Sequence, residues 1–379
     1  MKTVTRDPMH RFLIVLTIAS AVGLQAWQTL FNNFAVEAAG LEGKHVGGIQ
    51  SVREIPGFLA LLAVYVMLII REHRLSALSI LFLGIGLAAT GLFPSFIGLM
   101  LTTLVSSFGF HYYETTNQSL TLQYFKPNTA PWVFGKQRSY AAATNIGIGL
   151  TIYLIASFMS FAQMYLLFGG LVAAAGIWGF FQNPTRVDIV PQRKQMVFRK
   201  KYWLFYFLTF MASARRQIFI AFAVFLLIKK FEYTIQEVTI LFVVNNSINF
   251  FLSPMIGKSI IRFGERKVLS LEYAGLVFVF MAYAFVESRV LAALLYILDH
   301  MLFNFAMAIQ TYFQKVGDPQ DIAPSMAVGF TINHIAAVVL PTIGGLLWMV
   351  DYRIPFIAGA GMALISLTAV QLIRTPERG

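Results

Sequence analysis

Ionisable side chains inside apolar stretches are the groups of this 379-residue sequence that could do chemistry. They are Arg53, Glu114, Arg215, Arg216 and Asp299, together with the imidazoles His111, His300 and His334. A charge at bilayer depth is costly unless it faces a wet cavity or a partner, so such residues mark a pathway by default. Guanidinium groups bind anions, and imidazoles titrate near neutral pH. The set favours a pathway for a polar solute.

Apolar blocks of about 20 residues, long enough to cross a bilayer as helices, must position these groups. Only 12% of the residues are charged, against about 25% in soluble domains. We predict an all-α integral membrane protein with twelve transmembrane helices in two pseudo-symmetric six-helix bundles. The predicted spans are 12–35, 47–70, 75–94, 95–122, 139–160, 162–182, 202–228, 234–256, 268–287, 290–313, 325–349 and 353–373.

The distribution of basic residues predicts the orientation of these helices. With the N-terminus in the cytoplasm, 21 of the 29 Lys and Arg residues lie on the cytoplasmic side and five outside. This bias follows the positive-inside rule, with both termini in the cytoplasm. The net charge of +12 therefore reflects topology and does not indicate a nucleic-acid partner. We expect a multi-pass, monomeric protein of the plasma (inner) membrane, with a small-molecule substrate, the lipid bilayer as its surroundings and no cofactor.

A hydrophilic stretch at residues 183–201 divides the sequence near its middle. We predict an N-terminal half at 1–182, a basic cytoplasmic linker at 183–201 and a C-terminal half at 202–379. A shift of 193 residues lays 71–75 onto 264–268, at the end of an even-numbered span in each half. Such duplication around a central site is common among secondary transporters.

The loop after the eighth span, 257–267, carries a family resemblance. Its residues Gly257, Arg262, Gly264 and Arg266 match the signature loop of the major facilitator superfamily, although Ile261 stands where an acid is usual. Twelve spans, cytoplasmic termini and a central linker also resemble that superfamily. The resemblance implies a gating role for the loop. It also implies that helices 1, 2, 4, 5, 7, 8, 10 and 11 line a cavity, while 3, 6, 9 and 12 support them from outside.

The first half contributes one polar helix face and one buried arginine. His111, Glu114 and Gln118 recur at helical spacing and share a face of the fourth span. Glu114 can exchange a proton or pair with Arg53, and a purely structural polar seam is the alternative. Arg53 either extends to the outer interface or lines the cavity. We assign Arg53 and His111 to substrate binding and Glu114 to proton coupling.

The second half contributes two adjacent arginines and several polar partners. Arg215 and Arg216 point about 100° apart on a helix, so one can face a ligand while the other faces a partner such as Asp299 or Glu114. We assign both arginines to substrate binding and Asp299 to proton coupling. Four further residues are assigned to substrate binding, with helix bridging as the alternative for the amides: Asn245, Asn249, His300 and His334.

The predicted function is secondary active transport, by alternating access, of a small polar solute that is anionic or zwitterionic and coupled to protons. Efflux of hydrophobic drugs or metabolites by the same fold is one alternative. A membrane-embedded enzyme acting on lipid is another, disfavoured because the acid–base candidates lie near mid-depth. The acids and histidines could also hold a transition metal, but three membrane arginines would repel a cation, so no metal site is predicted. No soluble catalytic domain is present to carry an active site, so no enzymatic activity is predicted.

Overall fold

Twelve helical spans follow one another in the computed structural model, which describes residues 4–375. Lys2 and Arg378, which belong to the 21 basic residues expected on the cytoplasmic side, lie outside the described residues. The first six spans are α1 (Pro8–Asn33), α2 (Gly43–Phe58), α3 (Glu72–Thr90), α4 (Phe96–Tyr124), α5 (Ala130–Ile155) and α6 (Phe161–Phe181). The other six begin with α7 (Trp203–Ile218), α8 (Ile235–Phe263), α9 (Glu265–Phe285), α10 (Arg289–Phe303), α11 (Ile322–Val350) and α12 (Arg353–Val370).

The twelve predicted spans are confirmed, although several bounds differ from the prediction, among them the start of the fifth span and the end of the eighth. The α5 helix begins at Ala130 instead of 139, and α8 continues to Phe263 instead of 256. Both helices extend past their apolar stretch because backbone hydrogen bonding does not stop where the side chains become polar. Among the described residues, nine helices are long and apolar enough to cross a membrane, while α4, α5 and α7 fall outside that set.

Four spans change geometry along their length. The α1 helix passes into a π turn at Phe34–Ala38. The α2 helix contains Pro56 and ends at Phe58, where a 3-10 turn follows at Ala60–Leu62; proline removes one backbone hydrogen bond, which accounts for the break. The α7 helix passes into a π turn at Phe219–Ala223, and α10 into a 3-10 turn at Asn304–Ala306. Breaks of this kind often mark functional positions in a helix.

The chain divides into two compact units whose bounds differ from the predicted halves. The first contains the chain through Tyr124, with Tyr140–Val197 and Pro319–Thr331; the second contains Phe125–Ser139, Phe198–Asp318 and the chain from Ile332 onward. The beginning of α5 belongs to the second unit because it packs closely on α8, where a Cβ on Gly257 would lie 2.3 Å from the Pro131 carbonyl oxygen. The division at 183–201 stays a prediction.

The 183–201 segment is held by ion pairs in both units. In the first, Arg193 Nε lies 2.8 Å from Asp321 Oδ1. In the second, Lys201 Nζ donates to Asp318 Oδ2 at 2.8 Å. This hydrogen bond lowers the pKa of the exposed Asp318 carboxyl. The pair is solvated, so its contribution to stability is small.

Each unit repeats one glutamate with a polar partner at the start of its third helix. In the first unit, Gln123 Nε2 at the end of α4 donates to Glu72 Oε2 at 2.7 Å. In the second, Lys315 Nζ, beyond the 3-10 turn of α10, lies 2.7 Å from Glu265 Oε1. Glu72 and Glu265 are the two acids that the sequence shift of 193 residues superposes. The repeated contact agrees with an internal duplication.

The α3 and α6 helices approach so closely that glycines are required where their backbones meet. A Cβ on Gly169 would lie 2.3 Å from the backbone nitrogen of Ala88, whereas Gly170 has open space. We therefore expect Gly169→Ala to destabilise the protein by about 1–3 kcal/mol through overpacking, and Gly170→Ala to leave its melting temperature unchanged. Thermal unfolding in detergent measures both. Equal melting temperatures for the two variants would contradict the close contact.

Candidate functional site

The two adjacent arginines of α7 lie in different surroundings within the second unit. Arg215 is 2% exposed, and its Nη1 donates to Ser366 Oγ on α12. Its Nη2 lies 3.9 Å from Glu272 Oε1, and its guanidinium sits 4.3 Å from the ring centre of Tyr273. These contacts are internal, so the burial of Arg215 favours a role through its neighbours over direct binding of a solute.

Arg216 is exposed, and its guanidinium lies 4.4 Å from the ring centre of Phe303. The pair thus diverges as the helical geometry predicts, and Arg216 is the more accessible of the two side chains. The ion-pair partner of the buried arginine is Glu272, which the sequence analysis did not consider; Asp299 and Glu114 were the partners expected. Direct binding of a solute by either arginine stays a prediction.

A small cavity lies between α7, α9 and α10 in the second unit. Its volume is about 10 Å³, close to the lower limit for one water molecule. Arg215, Arg216, Glu272 and Asp299 line it among aromatic side chains. Asp299 and Glu272 are each 2% exposed. Asp299 Oδ2 and Glu272 Oε2 have no hydrogen-bond partner among the described residues. Two carboxyls, one of them a predicted coupling residue, therefore share this cavity with the arginines.

Sequence reasoning missed Glu272 because it treated Glu114 and Asp299 as the only deep acids. Glu272 lies inside the predicted ninth span, on a helix that the family resemblance assigns to outer support. The signal was present in the sequence, since an acid within 268–287 is as unusual as one in the tenth span. Its burial beside Arg215 places an acid of α9 in the core of the second unit.

A chain of polar contacts joins α5, α8 and α10 in the second unit. Asn249 Nδ2 and His300 Nε2 lie 2.7 Å apart, and Asn304 Nδ2 donates to Asn249 Oδ1 at 2.6 Å. Arg138 Nη1 donates to Asn304 Oδ1 at 3.1 Å. The structure thus brings together two predicted substrate residues, Asn249 and His300. It adds Arg138 and Asn304, which the sequence analysis did not select.

Two guanidinium groups approach the ring of Phe303. Arg216 approaches it at 4.4 Å and Arg138, from α5, at 6.0 Å. Both cations also act electrostatically on His300. Two guanidiniums on one aromatic ring, with amide donors beside them, suit a carboxylate or phosphate, because arginine binds these groups through two parallel hydrogen bonds.

In the first unit, Arg53 forms an ion pair with its neighbour in the sequence. Its Nη2 lies 2.9 Å from Glu54 Oε1, and its guanidinium lies 4.8 Å from the Trp27 ring centre. The side chain is 27% exposed. Ser107 Oγ on α4 donates to the Arg53 carbonyl oxygen. These contacts connect α2 to α1 and α4.

The polar face of α4 is mostly buried. His111 is 4% exposed, and its Nδ1 lies 2.9 Å from Ser107 Oγ and 2.8 Å from the Ser107 carbonyl oxygen. The ring of Phe330 meets the imidazole edge-on, with 5.9 Å between ring centres. Glu114, half-buried, follows on the same helix. His111 is thus held by a serine of its own helix, while its role in binding stays a prediction.

Two further predicted binding residues are buried in the second unit. His334 on α11 is 9% exposed, next to Asn333, whose Oδ1 accepts a hydrogen bond from Ser213 Oγ of α7 at 2.6 Å. Asn245 on α8 is 1% exposed, and neither of its side-chain amide atoms has a partner among the described residues. A buried amide left unpaired is costly, which suits a position where a water or solute group binds.

The predicted gating loop, 257–267, is helical except at Gly264, because α8 runs through Phe263 and α9 begins immediately after the glycine. Gly264 has φ of +82°, a backbone conformation that side chains other than glycine rarely adopt. Arg266 Nε donates to Gln371 Oε1 beyond the end of α12 at 3.1 Å, and Arg262 stacks on Phe263 with 5.1 Å to its ring centre. The positive φ explains why glycine occupies position 264, while the gating role of the loop stays a prediction.

No family model and no curated protein matches this sequence. Solved structures do. The human organic anion transporter MFSD10 (TETRAN) is 12% identical, covers 96% of this chain and 99% of its own, and gives a TM-score of 0.78. The chain has the fold of the major facilitator superfamily.

Two further transporters with this fold are similar over almost their full length. The E. coli fucose:proton symporter FucP is 13% identical, with 98% of this chain and 100% of its own covered, and a TM-score of 0.77. A bacterial homologue of the iron transporter ferroportin is 13% identical, covers 96% and 98%, and also gives 0.77. These likenesses confirm the predicted fold class. At such low identity the solutes remain those of the matched proteins.

Proposed function

We propose that this protein is a secondary active transporter of a small polar solute, anionic or zwitterionic, coupled to protons. The observation that carries the proposal is the pair of guanidiniums, Arg138 and Arg216, that approach the ring of Phe303. Amide and imidazole groups from Asn249, Asn304 and His300 adjoin them. An anionic group of the solute would bind the arginines, and the amides would orient its polar remainder.

The comparisons agree with this class of function without fixing the solute. One neighbour in fold is named for organic anions and another for fucose and protons. A third is named for iron, but a cation would be repelled by two guanidiniums at this site. The proposal includes a multi-pass protein of the plasma (inner) membrane, monomeric, with cytoplasmic termini, since basic residues concentrate on that side. It assigns no catalytic residue and no cofactor.

A thermal-shift screen of the purified protein tests the charge class of the solute. Ligands that bind the folded state alone stabilise it by about 2.7 kcal/mol at one hundred times their dissociation constant. We expect mono- and dicarboxylates or phosphorylated metabolites to raise the melting temperature, and neutral sugars to leave it unchanged. The shift should disappear in Arg138→Gln and persist in the remote control Arg353→Gln. Stabilisation by cations or neutral solutes alone would contradict an anion site.

A further inference from the structure

The buried cluster of the second unit contains more carboxyls than guanidiniums. Arg215, Glu272 and Asp299 are each 2% exposed and line the same small cavity. Arginine keeps its proton in proteins. Net charge in a water-poor interior is costly, so the cluster is best balanced when one carboxyl is ionised and the other holds a proton.

The hydrogen-bonding pattern of the cluster leaves carboxyl oxygens that can carry this proton. Arg215 gives its Nη1 to Ser366, and the 3.9 Å between its Nη2 and Glu272 Oε1 is too long for a direct hydrogen bond. Asp299 Oδ2 and Glu272 Oε2 have no partner among the described residues. A cavity of about 10 Å³ separates these groups, room for about one water that could carry the proton.

Arg216 connects this cluster to the proposed solute site. Its side chain lines the cavity that contains Glu272 and Asp299, yet it is exposed and stacked on Phe303. Other titratable or charged groups that act on the acids, or lie beside them, are Arg138 on α5, Tyr273 and Tyr283 on α9, and Tyr296 and His300 on α10. Of the two arginines at Phe303, Arg216 is the one that also borders the cavity.

We propose that Glu272 and Asp299 form a carboxyl pair holding one proton, and that Arg216 shifts its charge between this pair and the anionic solute. The inference rests on the proposed function and extends it with a residue of α9. When a solute anion engages Arg216, the pair keeps its proton. When the anion leaves, the positive charge of Arg216 compensates the negative charge of a second carboxylate. The pair then releases its proton to water. One proton therefore travels with each solute anion that engages Arg216.

Infrared spectroscopy of the purified protein, with no solute added, tests the pair directly. A protonated carboxyl gives its own C=O stretching band, which disappears on ionisation. In this solute-free state we expect the band at acidic pH and its loss as the pH rises toward neutral. The band should be absent in Asp299→Asn and Glu272→Gln and shifted in frequency in Glu272→Asp, a variant that keeps an acid and serves if the amide variants fold poorly. In Arg216→Gln the band should persist to higher pH by roughly one unit or more, since a nearby positive charge is gone. Arg216→Lys, which keeps the charge, should titrate like wild type.

Absence of the band from wild type, or its persistence unshifted in every variant of Glu272 and Asp299, would overturn the proton-holding pair. A band that titrates identically in wild type and Arg216→Gln would overturn the link to the solute site. These outcomes are distinct from failure of the proposed function. A titrating band in a protein that moves no anion would leave the pair standing and remove transport, whereas uptake without the band would do the reverse.

Discussion

We expect Arg216→Lys to reduce solute uptake by about tenfold to a hundredfold and to leave the melting temperature near that of wild type. Lysine keeps the charge but loses the planar fork that binds carboxylate or phosphate through two hydrogen bonds. Charged hydrogen bonds contribute about 1.5–3 kcal/mol, and each 1.4 kcal/mol is about a factor of ten in binding. Initial uptake rates into proteoliposomes, as a function of solute concentration, measure the change as a rise in KM.

Arg215→Lys is the informative companion because it alters the neighbouring, buried guanidinium. Its contacts with Ser366 and Glu272 are internal, so we expect it to lower the melting temperature more than Arg216→Lys does. Arg353→Lys, on the first turn of α12, controls for the loss of an exposed arginine. If both α7 variants transport like wild type, Arg215 and Arg216 are purely structural and the anion site is wrong.

We expect neutralisation of either assigned coupling acid, by Glu114→Gln or Asp299→Asn, to abolish uphill accumulation of the solute and to spare part of the solute exchange. An alternating-access cycle needs a group whose proton affinity differs between the inward-open and outward-open states, and a carboxyl provides this when its positive neighbours change. An amide cannot carry the proton, but solute binding needs no proton movement in these variants. Counterflow and gradient-driven uptake, measured on the same proteoliposomes, separate the two activities.

A static role for these acids predicts a different pattern. Removing one partner of a buried ion pair costs about 3–5 kcal/mol, so expression and melting temperature would fall together with all transport. Glu114 is half-buried on α4 and Asp299 is buried on α10. A static role therefore predicts a larger loss of stability for Asp299→Asn than for Glu114→Gln. Uphill accumulation by both amide variants would show that neither acid couples solute to protons.

The sequence determined the spans and the divergence of the two arginines because both follow from local rules. Span length is set by bilayer thickness, and neighbouring residues on a helix differ by about 100°. The predicted start of the fifth span at 139 leaves Arg138 outside the membrane, on the cytoplasmic side. In the structure α5 begins at Ala130, so Arg138 lies within the helix. Its contact with Asn304 depends on how α5 packs against α10, which no periodicity in either segment encodes.

The buried position of Glu272 shows a second limit of sequence reasoning. Which helices contribute charged groups was inferred from the family resemblance, and this resemblance places α9 outside the pathway. The ion-pair contact with Arg215 arises from the register between α7 and α9, a property of tertiary packing. Acids inside apolar segments are better tested against every arginine of the same unit before a supporting role is accepted.

Uptake of a stabilising anion by proteoliposomes under an imposed pH gradient is the most direct test of proton-coupled anion transport. With acid outside, we expect the wild-type protein to accumulate the labelled anion above its external concentration, and a protonophore to collapse this accumulation. Equal uptake with and without the gradient, never exceeding equilibrium, would contradict coupling to protons.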